Sequence, residues 1–324
     1  MKKQIGVLLY ILMVAALGFT SCKKENGSPA TPVTPAKPAA DTSFTSFIKL
    51  SDIITTGQQL RGMDYHPGTK NLYFYVYKSG ITGYSILQLN TETKQALTVF
   101  TFNDSKWNSN NGSEGSRIRV SGNDLYVMGG ANNTDFHKLT GIGNNTLTLV
   151  KIIKMPLYSG ATQPYWGESY DVAIADKLYV MTMRDKITFG NFTDLSNPGS
   201  YPVSYSSHGA SIVYAAINGN AYLVSKEGNN NDNLSVRNPV NGNFLRSVTI
   251  GPNNRTSLAK DSKERIYTID NDKILRFSAD LLSKESFKAT NSSTYYQFAL
   301  AEENNLITFY AIGSAEIKTM KISL

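Results

Sequence analysis

Eight side chains have the types and placing to do chemistry together: Arg61, Trp107, Glu114, Tyr165, Trp166, Glu168, His208 and Arg255. Trp107 lies in the polar stretch 103–115, and Tyr165 and Trp166 lie in 156–167. Both tryptophans of the chain therefore fall in connections rather than in apolar runs. Flat aromatic faces stack on sugar rings or ligand methylenes, and carboxylates and guanidinium forks add directional hydrogen bonds. Gathered at one mouth, these groups would hold a glycan, a peptide or another polar molecule. The competing account is that the tryptophans fill gaps between sheets and the charges pair with one another.

Catalytic signals are thin. His66 precedes Pro67-Gly68 and reads as a turn residue, and His137 reads as part of a strand away from the mouth. His208 is well placed but has no nucleophile beside it in the sequence. Neither a Gly-x-Ser-x-Gly elbow, nor paired metal-ligand histidines, nor a phosphate loop is present. The first reading is thus a non-catalytic binding site with no cofactor. The alternative is a metal-assisted hydrolase or lyase. In that case Glu114 and Glu168 act as acid and base or hold calcium or another divalent ion, with His208 beside them.

The elements that must position these groups are announced by a repeated phrase. It reads Asn71-Leu72-Tyr73-Phe74, Asp124-Leu125-Tyr126-Val127, Lys177-Leu178-Tyr179-Val180, Asn220-Ala221-Tyr222-Leu223, Arg265-Ile266-Tyr267-Thr268 and Asn305-Leu306-Ile307-Thr308. Successive copies start roughly 40 to 53 residues apart, the period of a four-stranded propeller blade. Tyr, Phe, Val and Thr favour pleated sheet, and Gly, Asn and Asp favour the turns between strands. The chain has 19 Tyr, 14 Phe and 25 Gly, and no long stretch carries helical spacing. The expectation is an all-β, six-bladed propeller; the alternative is seven blades with one degenerate repeat.

In the first repeat, strands are expected at 60–65, 72–77, 85–89 and 96–102. Later inner strands should begin near Arg117, Tyr170, Ile212, Ser257 and Tyr296. Outer strands should lie near 147–154, 201–205, 244–250 and 284–289. The last repeat has three strands only, at 296–301, 306–311 and 317–322. Segment 44–54 at the other end of the domain looks like the missing fourth. Such a strand would close the ring and remove an open sheet edge. Aligned on the phrase, Arg61, Glu114, Glu168, His208 and Arg255 fall near the starts of five inner strands, around one channel mouth.

Residues 44–324 resemble the broad group of six-bladed propellers that includes TolB-like and NHL-like domains. The blade phrase carries that resemblance, so it implies a fold rather than an activity. Propeller lactonases are similar in fold only.

The first residues describe an address. Lys2 and Lys3 precede an apolar run, Ile5 to Phe19, too short to cross a bilayer comfortably. Thr20 and Ser21 then precede Cys22, the only cysteine. The run Gly18-Phe19-Thr20-Ser21-Cys22-Lys23-Lys24-Glu25 resembles Bacteroidota lipoprotein signals. The resemblance implies a signal peptide over 1–21, lipidation of Cys22, and a place in the bacterial cell envelope. The outer membrane is the expected site, with the membrane face left open. An ordinary signal peptide leaving a free thiol is the alternative. Pro29, Pro32, Pro35 and Pro38 recur every third residue, so the segment 22–43 reads as a semi-rigid stalk below the domain 44–324.

The formal charge of +7 would fall by two with Lys2 and Lys3. The remaining basic residues are scattered, which speaks against nucleic acid. Expected partners are the membrane, through the anchor, and a glycan, peptide or envelope protein. A purely structural role, with the blade sides meeting a partner, would not need Trp107 or Trp166.

Overall fold

The computed structural model describes residues 43–78, 80–104, 117–128, 135–154, 172–175, 178–183, 186–191, 194–202, 206–215, 218–227, 231–238, 243–252, 257–270, 273–288 and 297–324. All belong to a compact unit spanning Pro38–Leu324. Strand β1 (Thr45–Lys49) leads into a single 3-10 turn, Leu50–Asp52. The first full sheet is then β2 (Gln58–His66), β3 (Asn71–Lys78), β4 (Tyr84–Asn90) and β5 (Ala96–Phe102).

The second sheet is β6 (Arg117–Ser121), β7 (Asp124–Met128), β8 (Asp135–Thr140) and β9 (Thr148–Lys154). The third is β10 (Val172–Ala175), β11 (Leu178–Met183), β12 (Lys186–Asn191) and β13 (Asp194–Pro202). The fourth is β14 (Ser206–Ala215), β15 (Asn220–Glu227), β16 (Asn231–Arg237) and β17 (Phe244–Pro252). The fifth is β18 (Leu258–Lys260), β19 (Ile266–Asp270), β20 (Lys273–Phe277) and β21 (Lys284–Lys288). The last comprises β22 (Gln297–Glu303), β23 (Leu306–Ile312) and β24 (Glu316–Ser323).

Among the described residues the strands form six four-stranded antiparallel sheets, five in simple meander order and one in the order β1-β24-β23-β22. The innermost strands neighbour one another in chain order, β2 beside β6, β6 beside β10, and on to β22, which lies beside β2 again. β1 pairs with β24, Thr45 opposite Thr319 and Lys49 opposite Glu316, so the early strand does complete the last sheet. It is shorter than the expected 44–54, because the chain turns at Leu50 to reach β2; the Ile53 and Ile54 N–H groups both donate to the Leu50 carbonyl. The third outer strand also differs from the expected 201–205. The strand starts earlier and takes in Pro198 and Gly199, because β13 is an edge strand where a missing N–H is tolerated.

The repeated phrase explains the packing. Side chains alternate between the two faces of a strand. Leu72, Phe74 and Val76 of β3 pack with Phe298, Phe309 and Ile317 of the last sheet. Tyr73 and Tyr75 of the same strand pack with Ile118, Leu125 and Val127 of the second sheet. The phrase tyrosine of the fourth sheet, Tyr222, likewise faces Leu258, Ile266 and Phe277 of the fifth. Tyr267 of the fifth faces Phe309 of the last, with ring centroids 5.3 Å apart. In the first sheet the leucine of the phrase packs backward and the tyrosine forward, and the tyrosines of the fourth and fifth sheets also pack forward.

The phrase tyrosines of the first, fourth and fifth sheets each find a polar partner for the hydroxyl, as burial of that group requires. Tyr222 donates to the Ala279 carbonyl in the next sheet at 2.5 Å and accepts from Asn218 Nδ2 at 2.8 Å. Tyr73 donates to Gln88 Oε1 at 2.9 Å and accepts from the Gly143 N–H of the next sheet at 3.4 Å. Tyr267 donates to Asp261 Oδ2 at 2.7 Å, and Arg265 Nε donates to the same oxygen at 2.6 Å.

Replacing Tyr222 by Phe removes one hydroxyl and leaves the half-buried Ala279 carbonyl and Asn218 Nδ2 short of their partner. We expect it to cost about 0.5–1.5 kcal/mol, read as a lower urea midpoint at unchanged slope.

Candidate functional site

In an antiparallel radial array, the connection from each outer strand to the next inner strand and the turn between second and third strands lie on one face. On this face the expected mouth is only partly described. Trp107, Glu114, Tyr165, Trp166, Glu168 and Arg255 lie outside the described residues, as does Cys22. His208 is placed on β14, near its start, by its backbone. Arg61 is described in full, and it is on the expected face.

Arg61 owes its position to a bulge. In the β2–β3 ladder Leu60 faces Val76 and Gly62 faces Tyr75, so Arg61 is the extra residue. A bulge re-aims its side chain and increases local twist. Here the guanidinium lies over the Tyr77 ring, 5.6 Å from its centroid, and Nη2 donates to Gln59 Oε1. Ring and amide together fix the fork.

Arg61 lines a cavity of about 710 Å³. One wall is the turn and strand start from Thr55 to Leu60, and another is the β23–β24 turn at Ile312, Gly313 and Ser314, with Leu50 and Ile54 between. Both walls are braced. The Leu50 N–H donates to the Ala315 carbonyl at 2.9 Å, and the Gly313 N–H to the Glu316 carbonyl at 2.9 Å. Gln58 Oε1 accepts from the Thr55 N–H at 2.8 Å, while the Gln58 N–H donates back to the Thr55 carbonyl at 3.0 Å. Such a reciprocal turn holds its shape without a ligand. Among the described residues, Arg61 is the single ionisable group in the lining.

A smaller cavity, about 240 Å³, adjoins it on the other side of Gln58. Lys78, directly opposite Gln58 in the ladder, is its one charged lining residue among the described residues. Gly83 in its wall has φ +97, and a Cβ there would meet the Phe102 carbonyl oxygen at 1.8 Å, so only glycine lets the turn approach that strand.

Gln58, Gln59, Thr55, Thr56 and Ser314 were not singled out from sequence. The signal was present: once segment 44–54 is taken as the last outer strand, 55–59 becomes another outer-to-inner connection, equivalent to those carrying the tryptophans.

The histidines outside β14 are structural. His66 Nδ1 accepts from the Thr69 N–H at 3.1 Å and shares a hydrogen bond with Thr69 Oγ1 at 2.9 Å, bracing its turn. His137 is buried between the first two sheets. Its Nδ1 shares a 2.8 Å hydrogen bond with the Tyr84 hydroxyl, and Phe102 packs edge-on at 4.5 Å. Burial pushes the His137 pKa down to about 4, with the charge of Asp104 opposing the shift. Among the described residues, no group of three or more His, Cys, Asp or Glu could hold a metal. No described helix is long and apolar enough to cross a membrane.

No family model and no curated protein matches the sequence. Solved structures do match. The chain is similar to the WD40 domain of Toxoplasma gondii coronin, with a TM-score of 0.55 and 9% identity over 88% of this chain and 86% of that one. It is also similar to a chain of the mitotic checkpoint complex, with a TM-score of 0.52 and 10% identity over 94% of this chain and 99% of that one. The chain folds as a WD40-like β-propeller. Its four-stranded sheets are the blades, and at this level of identity the likeness speaks for the fold alone.

The His137 environment sets a pH dependence. Its folded pKa lies below the usual 6.5, so the unfolded chain takes up the proton first as pH falls. The neutral ring's contribution is complete above about pH 6.5 and is lost as pH falls toward 4. Parent protein should therefore lose stability over this window relative to His137→Gln, by a slope of up to one proton in denaturant titrations at stepped pH.

Proposed function

We propose that this chain is a lipid-anchored, non-catalytic binding or scaffold protein that holds a polar ligand, a glycan or peptide, or a partner's loop at one face of a six-bladed ring. The observation that carries the reading is the braced cavity of about 710 Å³ beside the start of the first inner strand, with the fork of Arg61 in its wall. Its volume lies within the range of small-molecule sites. Six four-stranded sheets, with inner strands adjoining in one circuit, support the blade number. In this reading Trp107, Tyr165 and Trp166 supply stacking faces on the same side. Glu114, Glu168, His208 and Arg255 add hydrogen bonds around the channel.

Occurrence of a similar fold in the mitotic checkpoint complex supports a protein partner as one occupant. The arrangement Thr20-Ser21-Cys22 after a short apolar run supports cleavage, lipidation of Cys22 and a place in the cell envelope, at the outer membrane. Several acyl chains would anchor stably where one is marginal.

Trp107 and Trp166 are the only tryptophans, so fluorescence reports on their loops without labelling. Titration with glycans, peptides and divalent cations should give a saturable shift with one ligand class. A shift with cations alone, accompanied by hydrolysis of an added substrate, would favour the metal-assisted hydrolase or lyase. Emission unmoved by every ligand would count against the mouth.

Anchoring has its own test. Cys22→Ser should move the expressed protein from the membrane pellet to the soluble fraction and abolish incorporation of labelled fatty acid. Unchanged fractionation would remove the anchor from the reading.

A further inference from the structure

We propose that the domain rests on the lipid bilayer by the face opposite the mouth, with Phe244, Leu245 and Leu282 entering the headgroup layer, so that the mouth points away from the membrane. The proposal rests on the lipid anchor of the reading above and adds an orientation to it.

Chain direction points to that face. Strands alternate in direction within each sheet, so every outer strand runs from the far face toward the mouth. β1 takes the outer place of the last sheet, and its Lys49 end leads through Leu50–Asp52 to Gln58 on the mouth side. Its Thr45 end is therefore directed to the far face. The segment 22–43, read as the stalk with Cys22 at its start, joins the domain at that end. An anchor attached there draws the far face toward lipid.

The far face also displays apolar side chains. Phe244 and Leu245 open the outer strand β17, and Leu282 lies in the turn between β20 and β21 of the adjoining sheet. Leu245 is the extra residue of a bulge, because Val236 faces Arg246 and Arg237 faces Phe244. Phe244 and Leu245 are each 52% exposed, and Leu282 is 72% exposed. The turn holds that display in place. Leu281, at φ +57, tucks into the core shared by the fourth and fifth sheets. Asp280 Oδ1 accepts from the Leu282 N–H at 3.0 Å and from Ser278 Oγ at 2.6 Å. Arg246 Nη1 donates to the Asp280 carbonyl at 2.9 Å and ties the two segments together.

Lipid suits this patch better than a protein surface does. Three apolar side chains are few for a stable protein interface. A tether makes few sufficient, because it keeps the face near the bilayer at high effective concentration. The Arg237 guanidinium lies over the Phe244 ring, and Arg246 is exposed beside it, so the border of the patch is cationic and amphipathic. Of the acids in the same turn and strand, Asp280 is held by Ser278 and Leu282, and Glu285 is paired with Arg276.

Cys22 is the only cysteine, and lipidation consumes its sulfur, so an introduced cysteine can be labelled alone. The test uses the full lipidated chain in vesicles of phosphatidylethanolamine and phosphatidylglycerol containing nitroxide-bearing lipid. Bimane on Leu282→Cys is compared with bimane on Ser314→Cys, an exposed position on the mouth side. We expect blue-shifted emission and several-fold stronger quenching at 282. Phe244→Glu with Leu245→Glu should lower the quenching at 282 to the level at 314 while the protein stays in the membrane fraction. Melting curves establish that each variant is folded.

Equal quenching at the two positions, stronger quenching at 314, or quenching at 282 unmoved by the double substitution would overturn the proposal. A blue shift at 282 without quenching, growing with protein density on the vesicle, would give the patch to a second copy; this inference then falls and the anchor stands. If the parent chain fails to fractionate with membranes, or Cys22 itself takes the label, the anchor falls and the orientation falls with it.

Discussion

The domain depends on second strands that are buried on both faces, as in the first, second, fourth and fifth sheets. A strand in a one-sided sheet alternates apolar and polar residues. Asn71–Val76 is buried at every position, because one set of side chains belongs to the preceding sheet and the other to the following one. Each sheet is thus both wall and filling for its neighbours. No sheet could keep its core alone, and the cooperative unit is the assembly. The tyrosine hydroxyls add direction. Tyr222 reaches the Ala279 carbonyl and Tyr73 meets the Gly143 N–H, so a one-residue slip of a sheet would break a half-buried hydrogen bond as well as a packing face.

That rigidity is what makes a small irregularity useful. The bulge at Arg61 costs one ladder position, yet the surrounding strand pairs regularly on both sides of it. The guanidinium is therefore presented from a fixed frame, with Tyr77 beneath and Gln59 beside it. Loops alone could not hold a fork so firmly. The buried histidine illustrates the opposite use of the same frame. His137 sits where Tyr84 and Phe102 close around it, and it stays neutral at ordinary pH because nothing can solvate its charge.

Much of the architecture was legible because it repeats. A polar turn followed by an apolar and aromatic phrase, returned six times, names second strands without reference to anything distant. The incomplete last repeat even pointed to β1 as its partner. Less regular features were hidden. Pro198 and Gly199 look like a turn locally, and only their edge position makes a strand tolerable there. The bulge at Arg61 depends on how two strands register, which no single segment states. The cavity depends on the approach of 312–314 to 50–61, a contact between opposite ends of the domain. Arg61 was visible as a candidate because of its charge and its place near a strand start. Gln58, Gln59 and Ser314 carry no such mark and become interesting only in three dimensions.

The pairing of β1 with β24 also imposes an order in time. Thr45 and Thr319, whose side chains meet in that ladder, are separated by 274 positions along the chain. During synthesis β1 emerges first among the described strands and must wait, unpaired, until β24 has followed. Contacts between residues so far apart form late and slowly. Both the turn at Leu50 and the turn at Ile312 to Ser314 take their final positions through that pairing. The Arg61 cavity therefore needs both ends of the domain in place, and a nascent chain that has not yet made β24 would present its arginine but not the pocket around it.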